Sequence, residues 1–155
     1  MKVDTRFMEL ALEQAAEAAR RNEVPVGAVI VDPATCSILA QDGNRIEEKK
    51  DPTAHAEILV LRSAFRQYGQ KWLLGCDLYV TLEPCPMCAA AISLARIRRL
   101  YFGASDPKSG GVEGGPRIFD HPTCHHKPDI YGGIDEIRSR QMLTGFFSGR
   151  RRSSQ

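Results

Sequence analysis

Hydrophobic and polar positions follow two rhythms along this chain, and each change of rhythm marks an element. Within residues 4–21, Phe7, Ala11, Ala15 and Ala18 recur at helical spacing among charged neighbours, which predicts an amphipathic helix. Asp4 or Thr5 can cap its start, and Arg20 and Arg21 suit its end. The run "VPVGAVIV" (24–31) is β-branched and uncharged, the pattern of a strand buried on both faces. "DPAT" turns the chain into a second strand near Ser37–Gln41, which "DGN" ends. A charged loop, 44–52, leads to "DPTAHAEILVLRSAFRQYG". There Thr53 can cap a helix with Ile58, Leu61 and Phe65 as its apolar stripe and Gly69 as its stop.

The second half repeats the alternation. "CDLYVTL" reads as a strand, Pro86 opens a helix through "MCAAAISLAR", and "RRLYFGA" is another strand. Residues 105–128 are irregular and hold three of the four histidines; a basic helix is expected over about 134–152. Strands alternating with helices after a first hairpin predict an α/β fold, with helices on both faces of a mixed sheet. Segments 53–57 and 85–88 both fall where a helix begins, the edge at which sites gather in such sheets.

Composition narrows the class. At 155 residues and 43% hydrophobic, the chain has the size of one domain, 1–155, with room for a core. The net charge of +2 is unevenly spread: residues 96–155 carry eleven Lys/Arg against six Asp/Glu, residues 1–95 ten against thirteen. A basic half suits a polyanionic partner, although many solvated surfaces look alike. Five cysteines, an odd number with one tight pair, and no leader-like or membrane-spanning run point to a reducing cytoplasm.

The cysteine pair raises the chemistry. Cys85 and Cys88 lie three apart on a first helical turn, so both sulfurs share a face, and the helix N-terminus favours thiolates. C-x-x-C alone also occurs in redox couples and structural zinc knots. "TAHAEI" supplies a third donor, His55, and a carboxylate, Glu57. Positions two apart on a helix diverge by about 200°. His55 and Glu57 therefore converge only off a helix's N-terminal end, in a pocket shared by two helix starts. A structural knot wants four protein ligands; His55, Cys85 and Cys88 are three, and with a free carboxylate they describe a catalytic zinc, one per chain, that activates water. Glu57 is then the general acid–base.

H-x-E followed by P-C-x-x-C is the signature of zinc nucleobase deaminases. "EVPVGAV" (23–29), "GNR" (43–45), "DPTAHAEI" (51–58), "LYVTLEPCPMC" (78–88), "YFGASD" (101–106) and the late "FF" with following arginines extend it. Over roughly residues 5–150 the chain resembles the bacterial tRNA adenosine deaminases. The resemblance implies a cytidine-deaminase-like three-layer α/β/α sandwich with a mixed five-stranded sheet. It implies a homodimer that converts the wobble adenosine of a tRNA anticodon stem-loop, in the family an arginine tRNA, to inosine, with no membrane and no DNA partner. It also implies that Asn44 bonds the purine, Pro25 and Val26 form its wall, Asp106 contacts loop nucleotides, and Phe147 lies near the flanking base. One departure stands out: "HPTCHH" places His125 where the family commonly has Asn.

Plainer readings stand beside these. Asn44 and Asp106 are turn formers, "HPTCHH" a set of loop hydrogen-bonders, Glu83 a structural carboxylate, and Arg150–Arg152 a solvated tail or a phosphate contact. Two rival functions share the zinc motif. One is a deaminase of free guanine, cytosine or cytidine; the other is a non-catalytic RNA-binding module with a structural zinc.

Overall fold

The computed structural model describes residues 4–153, with side chains through Arg150. Helix α1 (Arg6–Arg20) is followed by strands β1 (Gly27–Asp32) and β2 (Ser37–Gly43), the short helix α2 (Ile46–Lys49) and α3 (Ala56–Tyr68). Then come β3 (Asp77–Leu82), α4 (Pro86–Ala95), β4 (Arg99–Ala104), a 3-10 turn (Ile118–Asp120), β5 (Asp129–Tyr131) and α5 (Glu136–Ser153). The sheet runs β2-β1-β3-β4-β5. β1 is antiparallel to both β2 and β3, whereas β3, β4 and β5 are parallel, giving the mixed five-stranded sheet.

Alternation along the strands divides the core in two. Ala28 and Ile30, Leu78 and Val80, and Leu100 and Phe102 join a large cluster with Val60, Leu61 and Ala64 of α3 and Ala89 and Ile92 of α4. Val29, Val31, Tyr79 and Tyr101 face the other way, onto Phe7, Met8, Ala11 and Leu12 of α1. Strands buried on both faces carry apolar residues at every position, which is why β1 and β3 read as continuous runs.

Two glycines set how closely α1 lies on the sheet. A Cβ on Gly27 would run into the Ala11 carbonyl and the Ala15 backbone, and one on Gly43 would meet the Gln14 carbonyl. The pair lets the helix backbone descend onto β1 and β2.

The structure departs from the sequence expectations in three places. Thr53 does not cap α3: its hydroxyl donates to Asp51, and the N-cap position belongs to His55. The α3 stripe is rotated, with Ala56, Glu57, Val60, Leu61 and Ala64 buried and Ile58 and Phe65 only half-buried. Small residues there allow close packing that larger ones would block. The first helix, by contrast, starts with one of the two expected caps: the Arg6 N–H donates to Asp4 Oδ1, while Thr5 offers no side-chain bond. Finally, α2, at four residues, lies within the stretch that reads as a charged loop, and β5, at three, lies just past the irregular stretch, where no element is expected.

Candidate metal centre

Two helix starts meet at one point. His55 is the N-cap of α3 and Cys85 the N-cap of α4, each in extended backbone, and Pro86 follows as the first helical residue. The extended N-cap swings each side chain off the helix end. His55 Nδ1 then lies 3.7 Å from Cys85 Sγ and 3.6 Å from Cys88 Sγ. Tetrahedral zinc, with bonds of about 2.3 Å to sulfur and 2.0–2.1 Å to nitrogen, spaces such ligands about 3.6 Å apart. The cage therefore has zinc dimensions. Among the described residues no other group of three His, Cys, Asp or Glu donors converges in this way; in "HPTCHH" the His121 and His126 Nε2 atoms bond instead to the Pro116 and Ile97 carbonyls.

The electrostatics agree. Cys85 is drawn down to about 4, first by its hydrogen bond with Cys88 and also by His55, against the opposing effect of burial. Cys88 is pushed up, by holding the proton that bonds Cys85 and by burial. His55 is raised by Cys85, although burial opposes it. Such shifts arise where one proton is shared among groups aimed at a common point; a divalent cation at that point stabilises both thiolates.

Glu57, on the first turn of α3, is 4% exposed. Burial raises its carboxyl to about 7, while His55 and a hydrogen bond with the Cys88 thiol pull the other way. A carboxyl titrating near neutrality can take up and release a proton under working conditions.

Asn44 is buried and tied at three points. Its N–H donates to the Val26 carbonyl, its own carbonyl accepts from Arg21, and its side-chain Oδ1 accepts the Ala56 N–H at 2.8 Å. Asn44, rather than Thr53, thus satisfies a free donor at the start of α3, which leaves its side-chain NH2 available. Glu23, also buried, accepts the Glu47 and Glu48 N–H groups and anchors α2 beside it. Sequence reasoning missed this second carboxylate; buried in "NEVP", it gave no periodic signal.

The remaining expected residues divide. Asp106 and Phe147 line one cavity of about 560 Å³ together with Val24, Leu82, Lys108 and Arg140. None of His55, Glu57, Cys85 or Cys88 lines it; it opens along the same sheet edge, three residues before Cys85. Asp106 is a turn former as well, since its Oδ1 accepts the Lys108 and Ser109 N–H groups. Pro25 and Val26 are buried and line none of this cavity. Phe147 is 44% exposed and meets Phe146 edge-on, while Arg150 lies over the Phe146 ring. The Arg151 and Arg152 side chains lie outside the described residues. His125 faces a different cavity, of about 340 Å³, beside Ser93, Leu94 and Cys124.

Comparison with known proteins extends the picture. Residues 1–104 match the family profile of the cytidine and deoxycytidylate deaminase zinc-binding region. The chain is 58% identical over 147 residues to the tRNA-specific adenosine deaminase of Agrobacterium fabrum, covering 95% of each chain. It is 49% identical over 140 residues to that of Rickettsia bellii, covering 90% of this chain and 97% of the relative. A structure solved in a study of A-to-I editing by tRNA:A34 deaminases at the wobble position of transfer RNA superposes with a TM-score of 0.87. It is 58% identical and covers 90% of this chain and all of that one.

Proposed function

The chain belongs to the tRNA-specific adenosine deaminases of the cytidine and deoxycytidylate deaminase zinc-binding family, and from that premise we propose the following account of its activity. Water and the wobble adenosine of a tRNA anticodon are converted to inosine and ammonia. The observation that carries the reading is the three-donor cage of His55, Cys85 and Cys88 with Glu57 buried against it. Zinc bound there supplies a Lewis acid that makes hydroxide available near neutral pH. Glu57 accepts one proton of the attacking water and passes it to N1 of the purine. It then takes the second proton from the new C6 hydroxyl and delivers it to the departing amino group, which leaves as ammonia while the C6 oxygen becomes the carbonyl of inosine. Two thiolates soften the metal's charge, so a dedicated base is needed.

The same reading assigns the substrate contacts. Asn44, with Oδ1 committed to Ala56, donates through its NH2 to an acceptor on the purine edge. Pro25 and Val26 form the wall of the base pocket, replacing part of the stacking an extruded base gives up. Asp106 and Phe147 meet the flanking nucleotides in the cavity they share. The whole of 1–155 works as one zinc deaminase domain, with α5 lending basic residues to the RNA backbone.

An arginine tRNA, a cytoplasmic setting and a homodimer complete the proposal. α4 supports the dimer: it carries no charge from Pro86 to Ala95, yet Met87, Ala90 and Leu94 are exposed. The described residues contain no helix long and apolar enough to cross a membrane.

The test is incubation of purified protein with an anticodon stem-loop bearing A at the wobble position, beside free adenosine, guanine and cytidine. Inosine is expected in the stem-loop. Ammonia from the free compounds alone would replace the RNA substrate with a small one, and no deamination anywhere would favour a structural zinc.

A further inference from the structure

Glu83 takes no part in the chemistry above, yet it is a buried carboxylate, 3% exposed, on the strand end that leads to the metal ligands. One loop surrounds it. Its Oε1 accepts the Asp106 N–H at 3.0 Å. Its Oε2 accepts the N–H groups of Val112, Glu113 and Gly114 at 3.1, 3.0 and 3.1 Å. Four backbone donors from both ends of one loop thus converge on a single side chain, an anion nest whose anion the protein itself provides.

The loop lies flush on this carboxylate. Gly111 N–H donates to the Pro84 carbonyl, and Gly110 N–H to that of Asp106. A Cβ on Gly110 would come 2.6 Å from the Glu83 carboxyl carbon, and one on Gly111 would come 2.6 Å from the Pro86 nitrogen. Glycine is therefore required at both positions. What the loop carries is the rim of the 560 Å³ cavity: Ser105, Asp106, Lys108 and Ser109 face Arg140 and Phe147 of α5 across it. Cations, hydroxyls and an aromatic ring around one space suit a sugar–phosphate unit and a stacked base.

We propose that Glu83 is a positioning residue for RNA: it fixes loop 105–114 so that the cavity receives the nucleotides flanking the target adenosine. It acts on substrate affinity and leaves the deamination step untouched. This rests on the RNA-editing reading given above.

Glu83→Gln tests it with little change of shape. A glutamine can keep its oxygen toward Val112–Gly114, but its NH2 then faces the Asp106 N–H, donor against donor, and the rim turn is released. In zinc-replete full-length protein, the Kd of a labelled anticodon stem-loop should rise about tenfold, the equivalent of one charge-assisted hydrogen bond. The single-turnover rate at saturating RNA should stay within about twofold, zinc should stay at one per chain, and amide exchange should quicken at Asp106 and its neighbours. Should Glu83→Gln not fold, Gly110→Ala, which crowds the same carboxylate, should reproduce the affinity loss. A fall in the saturating rate or in zinc content with unchanged Kd would overturn the proposal, as would wild-type exchange and wild-type affinity together. If the unaltered protein binds no stem-loop, the RNA reading itself has failed, and the exchange data alone decide whether Glu83 holds the loop.

Discussion

Glu57 illustrates how function and stability oppose each other at a single residue. Its carboxyl is raised from 4.5 to about 7 by burial, so in the metal-free folded protein it keeps a proton that the unfolded chain has already released. Between those two values stability must fall as pH rises, by up to about 3 kcal/mol. Glu57→Gln removes this dependence. Urea denaturation of both metal-free proteins should show equal stability near pH 4.5 and a more stable variant at pH 8; parallel curves would mean that Glu57 is not desolvated as described. Asn44→Ala should cost about 1–3 kcal/mol, because the Ala56 N–H loses its partner inside the protein. The same variant should lose deaminase activity, and a fully active one would remove Asn44 from the purine site. The convergence of the metal donors was legible because C-x-x-C and H-x-E, each ambiguous alone, both fall at helix starts. The capping role of Asn44 was not, since its partner lies twelve residues on, beyond a turn that local propensity cannot place.

Elements were legible in proportion to their length. α1, α4 and α5 and the strands β1, β2, β3 and β4 appear close to where periodicity put them, whereas α2 and β5 are too short to hold a period. β5 exists because β4 offers it an edge and Tyr131 stacks on Tyr101, at 5.0 Å between ring centres. Such a strand is specified by its neighbour more than by its own residues. The rotation of α3 has a similar cause: close contact with the sheet selects its alanines and valine over its bulkier residues. Close approach also governs α1. Gly27→Ala drives a methyl group into the α1 backbone and should cost about 3 kcal/mol or more. A thermal midpoint unchanged by that substitution would show that α1 sits farther from the sheet.

At the scale of the whole molecule, the sheet brings together sites far apart in sequence. β3 ends beside the starts of α3 and α4, which joins residue 55 to residues 85 and 88, and the next strand end carries the cavity rim. The metal therefore ties two helices and a sheet edge, and its binding free energy adds to that of folding. Removing zinc with a chelator should lower the melting temperature and abolish activity, and adding zinc back should restore both; activity that survives complete removal would detach the chemistry from the cage. The charge of residues 96–155 belongs to this scale too, because Lys108 of the 105–114 loop and Arg140 of α5 line the same cavity. The deaminase chemistry was readable from two short motifs, but the surface proposed to meet RNA was suggested only by resemblance, since no spacing rule links Asp106 to Phe147 across a cavity. The most direct measurement is mass spectrometry of a wobble-A anticodon stem-loop after incubation with the zinc-replete protein in water enriched in oxygen-18. The account predicts inosine at the wobble position carrying the heavy oxygen, and none from Glu57→Gln; unmodified adenosine, or inosine formed equally by that variant, would contradict it.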